Sequence, residues 1–214
     1  MINKLKNKKG HPDRYAKRCE RGFTLIEILF GVSIFVLIVG ALTLFSRNIW
    51  IYGSYISTGL NDSNSGRATL KTMVSEIRTA STADTGAYVI ALATTNAFTF
   101  YSDIDSDGLK EKVRYFLNGS LLQKGVIKPT GSPLTYNPVN EKISTLIPNV
   151  TNIPIFDYYD KNYDGTTPAL SFPINLSSIR LVKITINIDK DPNRAPSVTT
   201  FSTQVSIRNL KDNL

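Results

Sequence analysis

The chain has 214 residues, enough for one domain with an extension, and a formal net charge of +8. Residues 1–22 hold eight Lys and Arg against two acidic residues, so this segment accounts for +6 of that charge. The remainder is nearly balanced and shows no basic stripe with interleaved aromatics, so we expect no nucleic-acid partner. The single cysteine and histidine, Cys19 and His11, also lie in this first segment. If this segment is removed, the remaining chain has no cysteine or histidine. Disulfides, thiolate nucleophiles, Ser-His-Asp triads and zinc sites made from Cys and His are then excluded.

A long apolar run follows the basic segment. Residues 23–45 read FTLIEILFGVSIFVLIVGALTLF and contain one charged side chain, Glu27. As a helix this run spans roughly 34 Å, which exceeds the bilayer hydrocarbon thickness of about 30 Å. A buried helix of a soluble protein is disfavoured because every face is apolar. A secretory signal is disfavoured because the run is long and no small-residue cleavage site follows it. We therefore predict a transmembrane helix over residues 23–46. The preceding Lys and Arg place the leader in the cytoplasm and the rest outside.

Glu27 is the unusual residue of this run. An ionisable side chain inside an apolar span is costly and is a functional candidate by default. It lies four residues after Phe23, near the interface, so snorkelling towards water is the simple alternative. A cut before Phe23 would create a cationic amine about one helical turn away. The helix macrodipole also favours an acidic group at this end.

The segment Arg21-Gly22-Phe23-Thr24-Leu25-Ile26-Glu27, between a basic leader and an apolar run, resembles the cleavage and methylation signal of type IV prepilins and type II secretion pseudopilins. The resemblance covers residues 1 to about 50. It implies that a membrane prepilin peptidase cuts between Gly22 and Phe23, removes residues 1–22 and N-methylates Phe23. It also implies that Glu27 pairs with the N-terminal amine of a neighbouring subunit during assembly. A buried carboxylate needs such a partner.

The helix is predicted to continue past the apolar run. No proline occurs between Pro12 and Pro129, so we expect one rod from about residue 24 to about residue 79, with residues 47–80 amphipathic. Glycines and the polar stretch 61–66 weaken its middle, so a break into two helices there is the alternative. The apolar positions that recur at three- and four-residue steps are Ile49, Tyr52, Ile56, Leu60, Leu70, Met73, Val74 and Ile77.

Residues 81–214 are predicted to form a β-rich head domain. A hairpin is expected at Asn118-Gly119, a long surface loop over 129–152, and a connection over 189–196. The fold class is then α+β, with a long N-terminal helix packed on a mostly antiparallel sheet, as in pilins. Strands are expected at 88–93, 97–102, 112–117, 120–124, 153–159, 179–188 and 199–207.

Two aspartate-rich turns are candidate calcium sites. Each has oxygen ligands at alternate positions before a glycine, as at the start of an EF-hand loop, but neither has the Glu expected at the twelfth position. Asx-type turns, with glycine supplying a positive φ, are the alternative. Some pseudopilins bind calcium, so the resemblance slightly favours the metal; no other cofactor is expected. The candidate ligands are Asp103, Asp105, Asp107 and Glu111 in the first turn and Asp160, Asn162 and Asp164 in the second.

These features together predict a structural, non-catalytic subunit of a type IV pilus or a type II secretion pseudopilus. Its expected partners are prepilin peptidase, other pilin or pseudopilin subunits and the inner membrane. The absence of a C-terminal disulfide loop departs from many major pilins. The length, the proline-free helix and the hydrophilic β head resemble minor pseudopilins, such as the J-type, or minor pilins, such as the W-type. Two alternatives stay open. One is a single-pass anchored extracytoplasmic binding protein that does not polymerise, and the other is an anchored hydrolase with a concave acidic pocket.

Overall fold

The computed structural model describes residues 22–190 and 198–210, apart from the side chains of residues 54–62. The chain divides into two compact units, Met1–Ile51 and Tyr52–Leu214. The predicted leader, with Cys19 and His11, lies outside the described residues except for Gly22. Most of the predicted connection over residues 189–196 also lies outside them.

One helix, α1, covers Leu25–Arg78. Thr24 begins it: the Thr24 carbonyl accepts hydrogen bonds from the amides of Glu27 and Ile28, and its hydroxyl oxygen accepts a 3.3 Å bond from the Glu27 amide. Thr at the N-cap with Glu three residues later is the sequence pattern of a capping box. The predicted rod over 24–79 is therefore confirmed to within a residue at each end. Its backbone stays helical through residues 61–66, so the alternative of a break there is wrong.

The head contains two antiparallel sheets. The first is a meander of five strands in chain order, and the second has three strands, also in chain order. The α+β class and the antiparallel pairing are confirmed, whereas the division into two sheets was not predicted. The strands of the first sheet are β1 Ile90–Ala93, β2 Ala97–Ser102, β3 Glu111–Asn118, β4 Leu121–Ile127 and β5 Lys142–Ile147. Those of the second are β6 Phe156–Tyr159, β7 Leu181–Ile188 and β8 Thr199–Ser206.

The two sheets and the second half of α1 share one apolar core. Phe98 of β2 packs against Phe156 and Tyr158 of β6, with ring centroids 6.0 and 5.7 Å apart. The amides of Ile155 and Phe156 both donate to the Thr95 carbonyl, which joins the sheets at the start of β6. The described core is therefore continuous across the two sheets.

The predicted apolar stripe of α1 is confirmed in its last turns. Met73 and Ile77 are fully buried, Leu70 is 8% exposed, and Val74 packs against the core at partial burial. Ile49 and Tyr52 are instead 55% and 65% exposed, so the stripe does not begin there. Ile56 and Leu60 lie outside the described side chains.

A carboxylate also fastens α1 to the first sheet. Glu76 accepts a hydrogen bond from the Lys124 ammonium and another from the Tyr115 hydroxyl, each 2.6 Å long. Both Glu76 and Lys124 are largely buried. Because hydrogen bonds to a charged acceptor are stronger than neutral ones, these contacts fix the helix on the sheet.

Two predictions about the head need correction. The loop expected over 129–152 contains β5 and a 3₁₀ turn at Pro138–Asn140. β5 lies at the edge of its sheet and exposes four consecutive side chains, so its sequence lacks the alternation that marks a half-buried strand.

The hairpin is confirmed, but its turn residues are Gly119 and Ser120, since Asn118 still pairs with Leu121. Gly119 at φ 59° occupies the turn position that favours glycine.

Candidate functional site

The predicted cleavage site lies in exposed chain just before α1. Phe23 is 77% exposed. A Cβ atom added to Gly22 would meet nothing within 4 Å. The glycine therefore fills no packing role among the described residues. A requirement for glycine at this position would have to come from another molecule.

Glu27 lies in the first turn of α1 with its side chain exposed. Its amide is held by the Thr24 cap, and within the described part of the chain its carboxylate makes no ion pair or hydrogen bond. The carboxylate also lies where the partial positive charge of a helix N-terminus favours it. The Thr24 cap was missed in the sequence, although the Thr-x-x-Glu spacing before an apolar run is its signal.

The first part of α1 forms an apolar surface. Residues Leu25–Gly53 have a mean hydropathy of 2.7 in their most apolar window, and none of that window is buried. The hydroxyls of Ser33 and Thr43 donate 2.8 Å bonds to the carbonyls of Leu29 and Val39, one turn back in the same helix. The next charged residue after Glu27 is Arg47, twenty positions later, or roughly 30 Å along a helix. That distance matches the thickness of a bilayer core.

The first aspartate turn joins β2 to β3, and we call residues 103–111 the acidic loop. Glu111, its last residue and the first of β3, is fully buried. The Glu111 Oε2 atom accepts a 3.1 Å bond from the Ile104 amide, and the Asp103 Oδ2 atom accepts a 3.0 Å bond from the Gly108 amide. Gly108 has φ 91°, as expected for a turn glycine. These bonds hold one oxygen of each carboxylate in place.

The other oxygens of these two carboxylates are left open. Asp103 Oδ1 and Glu111 Oε1 are buried and have no hydrogen-bond partner among the described residues. Carboxylate oxygens of Asp103, Asp105 and Glu111 all lie within 4.8 Å of one another. Burial raises the pKa of Glu111. The Ile104 amide opposes this shift, and the negative charge of Asp105 adds to it.

Lys128, which follows β4, is the cation that faces the acidic loop. Its ammonium donates to Asp105 and, over 3.2 Å, to Asp107, and it lies 3.9 Å from Glu111 Oε1. Hydrogen bonds to Asp105 and then Asp107 raise the pKa of Lys128 above its usual range. Its side chain remains 55% exposed. Sequence reasoning missed Lys128 because a single lysine after a strand carries no signal that it faces a loop 17 or more positions earlier.

The second aspartate turn is satisfied from within. Asp164 Oδ1 accepts hydrogen bonds from the amides and hydroxyls of Thr166 and Thr167, at 2.7–2.9 Å. The bond from the Thr166 amide is the largest of the effects that lower the pKa of Asp164. Asp160 is bonded to the amide and side chain of Asn162. Gly165 has φ 96°, so this segment has the geometry of an Asx turn.

The anchored-hydrolase alternative requires a concave acidic pocket. One described cleft, of about 310 Å³, contains Glu141, but Arg114 binds this carboxylate through two hydrogen bonds of 2.8 and 2.9 Å. A second cleft, of about 480 Å³, lies between α1 and β8 and is lined by Arg67 and Lys71 with no carboxylate. Neither of these two clefts offers the paired free carboxylates of a glycoside hydrolase.

Comparison with known families identifies the N-terminal segment. The family model described as the prokaryotic N-terminal methylation motif matches residues 17–43, which include Gly22, Phe23 and Glu27. No curated protein sequence matches the chain. With this motif, an exposed apolar N-terminal helix and an antiparallel β head, the chain fits the type IV prepilin-like family.

Proposed function

We propose that the chain is a minor pilin or minor pseudopilin, a structural and non-catalytic subunit that joins a filament through the apolar part of α1. One observation carries the proposal: an apolar span that buries none of its most apolar window contains a single carboxylate, Glu27, four residues after the exposed Phe23. Pilin-type proteins with this methylation motif are structural rather than catalytic.

The energetics of the span support storage in a membrane followed by assembly. Each fully exposed Leu, Ile, Val or Phe forgoes about 1.5–3 kcal/mol of burial free energy, so lipid or neighbouring helices must cover the segment. Glu27 lies near one end of the span, where water and headgroups keep its insertion cost below the roughly 2.5–3.5 kcal/mol of a central charge. In a bundle of such helices the Glu27 carboxylate loses its contact with water. The amine of Phe23 on a neighbouring subunit would then neutralise the carboxylate.

The proposal assigns a role to each segment. Prepilin peptidase removes residues 1–22 on the cytoplasmic side and methylates Phe23. Residues 23–46 cross the inner membrane and later form the filament core, and residues 47–80 connect them to the extracytoplasmic head at 81–214. Within the family, J-type pseudopilins of type II secretion and W-type minor pilins are the subunits we favour. The alternative function, a single-pass anchored binding protein, shares the topology but requires no role for Glu27.

The test combines the mature N-terminus with the fate of a Glu27→Ala variant in the native host. Mass spectrometry should find a protein that begins with N-methylated Phe23. Glu27→Ala should be cleaved and retained in the membrane normally, but its amount in sheared filaments should fall at least tenfold, because its neighbour's amine has lost its partner. Ser33→Ala is the matched control. It removes a polar group from the same helix whose hydroxyl bonds internally, so its incorporation should stay at the wild-type level.

Three outcomes would count against the proposal. Absence of the wild-type protein from sheared filaments would favour the anchored binding protein. Normal incorporation of Glu27→Ala would contradict the role assigned to Glu27. A mature N-terminus at any residue other than Phe23 would contradict the processing step itself. Because none of the described residues packs against Gly22, a Gly22→Leu variant that stays uncleaved would report on the peptidase and not on misfolding of the head.

A further inference from the structure

We propose that the acidic loop is a calcium site in which the cation binds Asp103 Oδ1, Asp105 and Glu111 Oε1 and displaces the Lys128 ammonium. This site lies in the head and is independent of the filament function proposed above.

The geometry of the loop fits a hard divalent cation. Calcium takes oxygen ligands at about 2.3–2.6 Å, so two ligands on opposite sides of one ion are separated by up to roughly 5.2 Å. The carboxylate oxygens of Asp103, Asp105 and Glu111 lie within 4.8 Å of one another. One ion can therefore contact all three, with water completing its coordination. The loop matches the EF-hand ligand spacing only in its first half, counted from Asp103. Its buried ligand is Glu111 at the ninth position, in place of the usual Glu at the twelfth.

The two orphaned oxygens are the second and independent observation. A buried polar atom without a partner is unfavourable, and such atoms in a folded protein call for a physical reason. Glu111 is wholly buried, and its Oε1 atom has no hydrogen-bond partner among the described residues, while its Oε2 atom is occupied by the Ile104 amide. Asp103 repeats this arrangement, since Gly108 occupies its Oδ2 atom and leaves its Oδ1 atom open. A bound cation would satisfy both open oxygens at once.

Charge also favours a divalent ion over the lysine alone. Asp103, Asp105, Asp107 and Glu111 bring four carboxylates to the loop, against the single ammonium of Lys128. The nearby Lys110 is engaged elsewhere, because its side chain and its amide both bind Asp84. The Lys128 ammonium reaches Asp105 and Asp107 but stays 3.9 Å from Glu111 Oε1, beyond hydrogen-bond distance. With 55% of its side chain exposed, Lys128 can move into solvent when a cation enters.

The experiment measures calcium binding to the full chain in detergent by calorimetry and by thermal unfolding, with sodium chloride of equal ionic strength as the reference. Wild type should bind with a Kd of about 10⁻⁴–10⁻³ M, the range of extracellular calcium modules, and its Tm should rise by a few degrees at saturation. Magnesium should bind more weakly, since it requires a tighter octahedral shell.

Three variants make the assignment specific. Glu111→Gln keeps an acceptor for the Ile104 amide but removes the charge, and it should weaken calcium binding at least tenfold. Lys128→Gln removes the competing ammonium and should strengthen calcium binding several-fold. Asp164→Asn in the second turn is the matched control and should leave calcium affinity unchanged, because Asp164 is already saturated with hydrogen bonds. If Glu111→Gln fails to fold, Asp105→Asn on the exposed side of the loop serves in its place.

The proposal is overturned if millimolar calcium changes neither the heat signal nor the Tm of wild type. It is also overturned if Glu111→Gln or Asp105→Asn responds to calcium as wild type does. Either result would leave Lys128 as a permanent counter-ion of the loop, and Lys128→Gln would then destabilise the head with or without calcium.

Discussion

At the scale of single residues, Asp84 shows how one carboxylate secures the chain that leaves α1. Its side chain accepts a 2.7 Å bond from the Lys110 amide and a 3.1 Å bond from the Lys110 ammonium. The Tyr136 hydroxyl contacts both partners, since it accepts from the Asp84 amide and donates to the Lys110 carbonyl. Asp84 thus ties the segment after the helix to the residue that precedes β3.

The bonds to Asp84 predict a specific loss of stability in acid. The Lys110 amide, followed by its ammonium, lowers the pKa of Asp84 below its ordinary value of 3.8. A depressed carboxyl pKa contributes stability above the unfolded-state pKa, and that stability is lost as pH falls through the folded-state pKa. Asp84→Asn should therefore destabilise the head by about 1 kcal/mol at neutral pH and by progressively less as the pH falls below 3.8.

Urea denaturation at a series of pH values measures this effect. Lys110→Met is the control, because it removes the ammonium and keeps the backbone amide. It should retain most of the dependence on pH. An equal stability deficit of Asp84→Asn at neutral pH and in strong acid would show that its role is not ionic.

At the scale of elements, the contact between α1 and β8 depends on a glycine. Gly66 is buried, and a Cβ atom added to it would lie 2.8 Å from the Phe201 ring. In the sequence this glycine indicated a weak point of the helix. In the structure it allows the ring of β8 to approach the helix backbone closely. A residue that lowers helix propensity therefore contributes to packing.

Gly66→Ala should accordingly destabilise the head although alanine is the better helix former. The substitution gains about 1 kcal/mol of helix propensity, but overpacking against the ring costs about 1–3 kcal/mol. Ser65→Ala, one position earlier on an exposed site, should gain a few tenths of a kcal/mol because it meets no such obstacle. Denaturation midpoints of the two variants give the comparison. A more stable Gly66→Ala would mean that the Phe201 ring turns aside freely.

The elements also show what could be predicted from the sequence. In β7, Ile184, Ile186 and Ile188 alternate with polar residues in the sequence, and all three are buried. Such a face can be predicted because strand geometry is local and repeats every two residues. The edge strand β5 was missed because exposure on both faces removes that alternation. The meeting of Lys128 with the acidic loop depends on strand pairing across the sheet, which no local pattern encodes. The Gly22-Phe23-Glu27 spacing was recognised because it is a short contiguous motif, and the matching family model agrees.

At the scale of the whole molecule, the described core and the apolar span belong to different parts of the chain. The buried core residues run from Leu70 to Ile207, all within the unit Tyr52–Leu214. Residues Leu25–Gly53 bury none of their most apolar window. Folding stability and attachment to a membrane are thus encoded in separate stretches of sequence.

This separation predicts that residues 52–214 fold without the apolar segment. Such a fragment should be soluble without detergent and should unfold within a few degrees of the Tm of the full chain in detergent, because the described core lies entirely within it. Calorimetric scanning of both proteins makes the comparison. Aggregation of the fragment, or a Tm lower by ten degrees or more, would show that residues before 52 support the head.

The internal hydrogen bonds of Ser33 and Thr43 have a mechanical consequence for any bundle of these helices. Since both hydroxyls donate within their own helix, residues 28–45 offer neighbouring helices almost entirely contacts between apolar side chains. Such dispersion contacts are individually weak and change little when one rod slides past another. A filament built this way would lengthen under tension as its helices slide along one another. The Glu27 carboxylate near the start of each helix would then fix the axial position of the helices in the relaxed filament.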